Sequence, residues 1–143
     1  MTSPAVHTLS LRVYAADTDA SGIVHHAQYL VFAERARSEM LRAHDLATDT
    51  LGDVAAGYWV VRRATLTWRT PARLDDMIEM QSRVVAVRGA SCDLKQRAVR
   101  GGEVLAEIAI TVAYLTADGR PRRQPPAWRA RLDTLAADAR GAW

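Results

Sequence analysis

The sequence predicts an α+β domain in which one long helix covers an antiparallel sheet, and three observations carry that reading. An alternating segment opens the chain, a single long amphipathic stretch follows it, and four further alternating segments fill most of the remainder. A lone helix set beside a run of strands buries its one apolar stripe against the apolar face of the sheet, which is the α+β layout.

Each element has its own signal. From Thr8 to Tyr14, Leu9, Leu11 and Val13 alternate with Ser10 and Arg12, the period of a half-buried strand expected to end near Ala16. Asp17-Thr18-Asp19-Ala20-Ser21-Gly22 collects turn formers whose short polar side chains compete with ladder hydrogen bonds, so it reads as a loop. From Ala27 to Ala43 the spacing becomes helical. Tyr29, Leu30, Ala33, Ala36, Met40 and Leu41 fall on one side, with Gln28, Arg35, Ser38 and Arg42 on the other. Gly52 and Gly57 bracket a loop after this helix.

Four strands are then expected, at 58–69, 77–87, 91–99 and 104–115, with 71–75, 88–90 and Gly101-Gly102 read as hairpin turns of a meander. In the last strand Ile108, Ile110, Val112 and Tyr114 share one face, and Glu107 and Thr111 the other. Pro121, Pro125 and Pro126 stiffen the exit, and a short helix is expected from Ala127 to Ala139 within a basic, proline-rich tail at about 119–143.

Bulk properties narrow the class. A chain of 143 residues with 49% hydrophobic composition supports one compact core, so 1–143 is read as a single domain. No segment approaches the ~20 apolar residues of a membrane span, and Met1 to Ala5 carries no basic residue ahead of an apolar stretch. Cytoplasm is the expected location. Cys92 is the only cysteine, which excludes an intramolecular disulfide and a thiolate metal cage. The net charge is +3, and only one of the 19 basic residues is Lys. That arginine bias suits phosphate recognition and equally suits a GC-rich genome. Without a basic stripe interleaved with aromatics, nucleic acid is not an expected partner. One helix cannot cover both a sheet and its edges, so a homodimer or homotetramer is expected.

The chemistry concentrates between Asp17 and Tyr29, where two carboxylates and two imidazoles, His25 and His26, occupy a loop that runs into the helix. A helix N-terminus offers unpaired N–H groups and the positive end of a dipole, which suit an anion or a developing oxyanion. Asp19, upstream of that terminus, can face the same carbonyl carbon. Alternatives remain: Asp17 to Asp19 can be a plain Asx turn, and His26 a helix-start residue bonded to a carbonyl. Two Asp and two His can also hold a divalent metal, although such sites usually draw ligands from more than one loop.

The stretch from Val13 to Tyr29, continuing through Phe32-Ala33-Glu34-Arg35-Ala36-Arg37, closely resembles the Tol-Pal-associated acyl-CoA thioesterases. Val60-Val61-Arg62-Arg63, Pro71-Ala72-Arg73-Leu74-Asp75-Asp76 and Arg88-Gly89-Ala90-Ser91 continue the likeness in order, so that it covers roughly residues 8 to 123. These proteins group with the 4-hydroxybenzoyl-CoA thioesterases. The resemblance implies a hot-dog fold, a long central helix wrapped by a curved five-stranded antiparallel sheet, with active sites at the subunit interface. It also implies hydrolysis of acyl-CoA thioesters with Asp19 as the catalytic carboxylate, His26 as the active-site imidazole, and the His26 amide polarising the carbonyl. His25 stands where the family commonly has an aromatic residue.

A thioester carbonyl is poorly resonance-stabilised and its thiolate leaves readily, so a carboxylate serves as nucleophile or as general base on water. Neither route uses a metal or cofactor, CoA being part of the substrate. The water-accessible loop favours the base. Tyr14 and Tyr29 flank the loop as candidate walls of the acyl pocket, beside His25. Arg88 is the first candidate for the CoA phosphates, and Arg120, Arg122 and Arg123 the second. Acyl carrier protein is the alternative carrier, and a non-catalytic acyl-CoA or carrier-binding module is the rival function. Cys92 reads as a small buried thiol.

Overall fold

The computed structural model describes residues 4–46 and 57–143. The loop expected between Gly52 and Gly57 lies mostly outside them. The elements are β1 (His7–Arg12), α1 (Gln28–Ala43), β2 (Tyr58–Trp68), β3 (Met77–Val87), β4 (Ser91–Arg100), β5 (Glu103–Leu115) and α2 (Pro126–Asp138), with a 3-10 turn at Ala15–Asp17. The first strand therefore ends sooner than the alternation suggested. The Asp17 carboxylate accepts the Tyr14 N–H at 2.8 Å and turns the chain out of the sheet.

All five strands pair antiparallel in one sheet of order β1-β3-β4-β5-β2. Only β3, β4 and β5 form the expected meander. Pro71 to Asp75 is not a hairpin turn: β2 lies beyond β5, pairing Tyr58 with Leu115 and Trp68 with Ala106, and the connector crosses from one edge of the sheet towards the other. Turn-forming residues mark where a strand stops. They do not say where the next one pairs.

Helix α1 packs on one sheet face through Tyr29, Phe32, Ala33, Ala36 and Met40. Leu30, placed on the apolar side from the sequence, is 38% exposed, and Phe32 takes its place in the core at 0%. Tyr29, Phe32, Ala33 and Ala36 meet Ile78, Met80, Ala98, Leu105, Ile108 and Ile110 of the sheet. Truncating Phe32 to Ala would cost about 3–5 kcal/mol at such a site. A buried polar clamp fixes the register of helix on sheet: the Gln96 amide donates to the Ala33 carbonyl and to Ser82 Oγ, both at 2.9 Å, while its oxygen accepts from Arg37 at 3.0 Å. Desolvation holds the Arg37 pKa below its ordinary value.

The C-terminal segment is a second layer of cover and not a loose tail. Leu132 and Leu135 of α2 join Met40, Leu46, Val84, Cys92 and Leu94 in a separate cluster, and Trp128 stacks on Trp59 at 4.3 Å. Burial pushes the Cys92 thiol up to about 12, as expected of an inert core residue. Gly57 is required by packing, since a Cβ there would lie 2.4 Å from the Tyr114 ring. From Val61 to Trp68, β2 buries little except Leu66, and its outer edge is unpaired among the described residues.

Candidate active site

Between β1 and α1 the chain folds into a miniature hairpin. Thr18 bridges Val24, the Asp19 N–H donates to the Ile23 carbonyl at 2.9 Å, and the His25 N–H donates to the Asp17 carbonyl at 3.0 Å. Ala20, Ser21 and Gly22 form its tip, where Gly22 takes a φ of +80° that a side chain would resist.

The hairpin rests on the β2–β3 connector. Val24 N–H donates to the Ala72 carbonyl at 2.8 Å, Leu74 N–H to the Gly22 carbonyl at 3.0 Å, and Ile23 bridges Arg73. The connector is itself pinned to α1, because the Ala72 N–H donates to the Tyr29 hydroxyl at 3.2 Å. An Asp76–Arg100 ion pair at 2.6 Å secures its far end.

Asp19 is exposed on this support. Its Oδ1 accepts both the Ser21 N–H, at 2.8 Å, and the Ser21 hydroxyl. Those two bonds, the hydroxyl first, hold the Asp19 carboxyl below the ordinary carboxylate range, with a smaller contribution from the charge of His25. Asp17, by contrast, is buried. Its Oδ1 accepts from the Gln28 side chain at 3.0 Å.

The helix begins at Gln28, so His26 lies in the turn just before it. Gln28 N–H donates to the His25 carbonyl at 2.9 Å and Ala27 N–H to His25 Nδ1 at 3.3 Å. The N–H of His26 has no acceptor among the described residues. Both rings are exposed, 4.3 Å apart between centroids, and Trp68 meets the His26 ring edge-on at 6.2 Å.

The other sequence candidates divide. Tyr14 is 66% exposed beside the loop. Tyr29, read from the sequence as a pocket wall, lies in the core at 2% exposure with its hydroxyl committed to Ala72. Arg88 is at the far end of β3 from the connector, a separation of up to about 35 Å for an extended strand of its length. Its guanidinium makes a two-pronged pair with Asp93, at 2.6 and 2.9 Å, and donates to Ser91 Oγ. The structure does not bring it to Asp19 of the same chain. Near Arg88, Arg122, Arg123 and Arg129 line a cleft of ≈ 540 Å³ at the start of α2, opposite Asp133. Arg120 pairs with Asp118 instead.

Sequence reasoning missed Ser21, Gln28 and Trp68. Ser21 had a signal, being two residues after an Asp in a turn. Trp68 had none, because only the crossover brings the end of β2 to the helix start. Among the described residues, no group of three or more His, Cys, Asp or Glu side chains is placed to hold a metal ion.

A long helix packed on an open five-stranded antiparallel sheet is the hot-dog fold. The chain belongs to the thioesterase superfamily, whose family profile matches residues 21–107. It is 45% identical over 95 residues to the acyl-CoA thioester hydrolase YbgC of Escherichia coli O6:H1, covering 66% of this chain and 70% of that protein. A probable thioesterase from Bartonella henselae superposes with a TM-score of 0.79 at 34% identity, over 84% of this chain and 99% of that one. A Thermus thermophilus thioesterase, crystallised with coenzyme A and Zn, superposes with a TM-score of 0.79 at 26% identity, over 96% and 98% of the two chains.

Proposed function

We propose that this protein hydrolyses acyl-CoA thioesters to free acid and CoA, with Asp19 as general base on water and the His26 N–H polarising the thioester carbonyl. The observation that carries the reading is that one short hairpin-to-helix segment holds both an exposed Asp19, its carboxyl kept below the ordinary range, and a His26 N–H without an acceptor among the described residues. The carboxylate accepts the proton of an attacking water, and the amide stabilises the oxyanion of the tetrahedral intermediate. Collapse of the intermediate breaks the C–S bond, and the departing thiolate takes the proton from Asp19, which restores the carboxylate without a metal. The His26 and His25 rings and Tyr14 line the approach.

The protein works as a homo-oligomer, which supplies cover for the open β2 edge. Antiparallel pairing of two such edges about a two-fold sets the Tyr58 end of one strand beside the Trp68 end of the other. The cleft of Arg122, Arg123 and Arg129 then receives CoA phosphates from the site of the second copy, a role for which Arg88 is less suited because Asp93 already neutralises it. The name of the Escherichia coli relative and the CoA in the Thermus structure support CoA as carrier.

The test is thiol release from short, long, branched and aryl acyl-CoAs after dialysis against a strong chelator. Turnover with at least one class is expected. Saturable binding without thiol release would favour a non-catalytic acyl-CoA or carrier-binding module. Loss of turnover on chelation, restored by zinc or manganese, would sink the metal-free mechanism and make His25 and His26 ligands.

A further inference from the structure

The mechanism above uses Asp19 and the His26 amide and leaves the neighbouring carboxylate without a role. Asp17 is 8% exposed, yet it accepts three bonds from three parts of the loop. Oδ2 accepts the Tyr14 N–H at 2.8 Å, Oδ1 accepts the Gln28 side-chain amide at 3.0 Å, and its carbonyl accepts the His25 N–H at 3.0 Å. Tyr14 is at the exit of the sheet, His25 adjoins His26, and Gln28 is the first residue of α1. One side chain therefore ties the strand exit to the helix start, across the hairpin that carries Asp19.

We propose that Asp17, through Gln28, is a positioning residue that sets the separation between the Asp19 carboxylate and the His26 N–H. The inference rests on the proposed roles of those two groups. A buried carboxylate bonded to two N–H donors is a stiff tether, since charge-assisted bonds are short and strong. Its release lets α1 and the hairpin drift apart. A drift near 1 Å costs up to about 100-fold in rate when two groups must act on one carbonyl.

Reversing the polarity of the tether tests this. Gln28→Ala keeps the Asp17 charge and removes the bond; turnover number is expected to fall about tenfold with KM within threefold. Gln28→Glu sets two carboxylates against each other and is expected to lose more. Adding Asp17→Asn to Gln28→Glu restores a donor and an acceptor in the opposite sense, the new amide donating to the new carboxylate. The double variant is expected within about threefold of wild type, a recovery that general damage to the loop would not give. Wild-type turnover in Gln28→Ala, or a double variant no better than Gln28→Glu alone, overturns the tether. Asp19→Asn, assayed in parallel, separates the two readings. If it stays active the general-base assignment falls, and if it is dead while Gln28→Ala is normal only the positioning role falls.

Discussion

The indole Nε1 of Trp68, at the end of edge strand β2, donates to the carbonyl oxygen of His26 at 3.1 Å. The bond joins the sheet to the turn that opens α1, and it is exposed, which limits its net worth to about 0.5–1.5 kcal/mol. Trp68→Phe keeps the ring contact with His26 and loses the donor. Turnover is expected to fall severalfold, with a melting temperature lowered by only a few degrees. Unchanged turnover in a thiol-release assay would show that the turn holds the His26 amide without help from the strand.

Ser21 is expected to set the acid limb of the pH profile. In the proposed mechanism Asp19 acts as its carboxylate, so the rate is expected to hold as pH falls until that group protonates. The two Ser21 bonds depress its pKa, which puts the limb below the ordinary Asp value of about 3.9. Ser21→Ala removes the hydroxyl donor, raises the pKa and moves the limb of kcat/KM to higher pH. The Ser21 N–H still donates, so the shift is partial. A limb that stays where it was would mean that Asp19 is not the titrating base.

The fold was legible where a signal is local. Alternation placed β3 at 77–87 with both ends correct, and helical spacing placed α1 to within one residue. The strand order was not legible, because Pro71 to Asp75 reads the same whether β2 folds back on β3 or crosses to β5. The site divides the same way. Asp19 and His26 stand in one contiguous loop, and the resemblance of that loop to a family, more than its local chemistry, singled them out. Trp68 reaches His26 only after the crossover, and the pairing of Arg88 with Asp93 comes from a bulged β3–β4 hairpin in which exposed turn and strand residues face each other.

Arg88→Ala is expected to act through that hairpin and not through CoA. It leaves Asp93, whose carboxyl the Arg88 bonds hold below its ordinary range, with only the Thr111 hydroxyl as a side-chain donor. Any loss should therefore be equal on acyl-CoA and on the matching acyl-pantetheine, which lacks the nucleotide phosphates. Arg123→Ala, in the arginine cleft, is expected to raise KM for acyl-CoA alone. The opposite pattern, a CoA-specific KM rise in Arg88→Ala, would return Arg88 to the phosphate site.

Light scattering at micromolar concentration reads the open edge. A mass of two or four times 15.7 kDa is expected. Ala64→Pro, at a position of β2 whose N–H faces away from β5, should shift the population towards monomer and lower turnover with it, since proline removes an edge donor. A monomeric wild type with full turnover would contradict a site completed by a second copy.

The central claim is that Asp19 carries the chemistry, and Asp19→Asn tests it most directly, because the amide keeps the shape and an acceptor oxygen while losing the base. Circular dichroism and size should match wild type. Thiol release from the best acyl-CoA substrate should fall at least about a hundredfold, the usual scale for a positioned base, and by much more than in Asp17→Asn. An Asp19→Asn enzyme that turns over within a few fold of wild type, while Asp17→Asn is folded and dead, would contradict the account and move the catalytic role to Asp17.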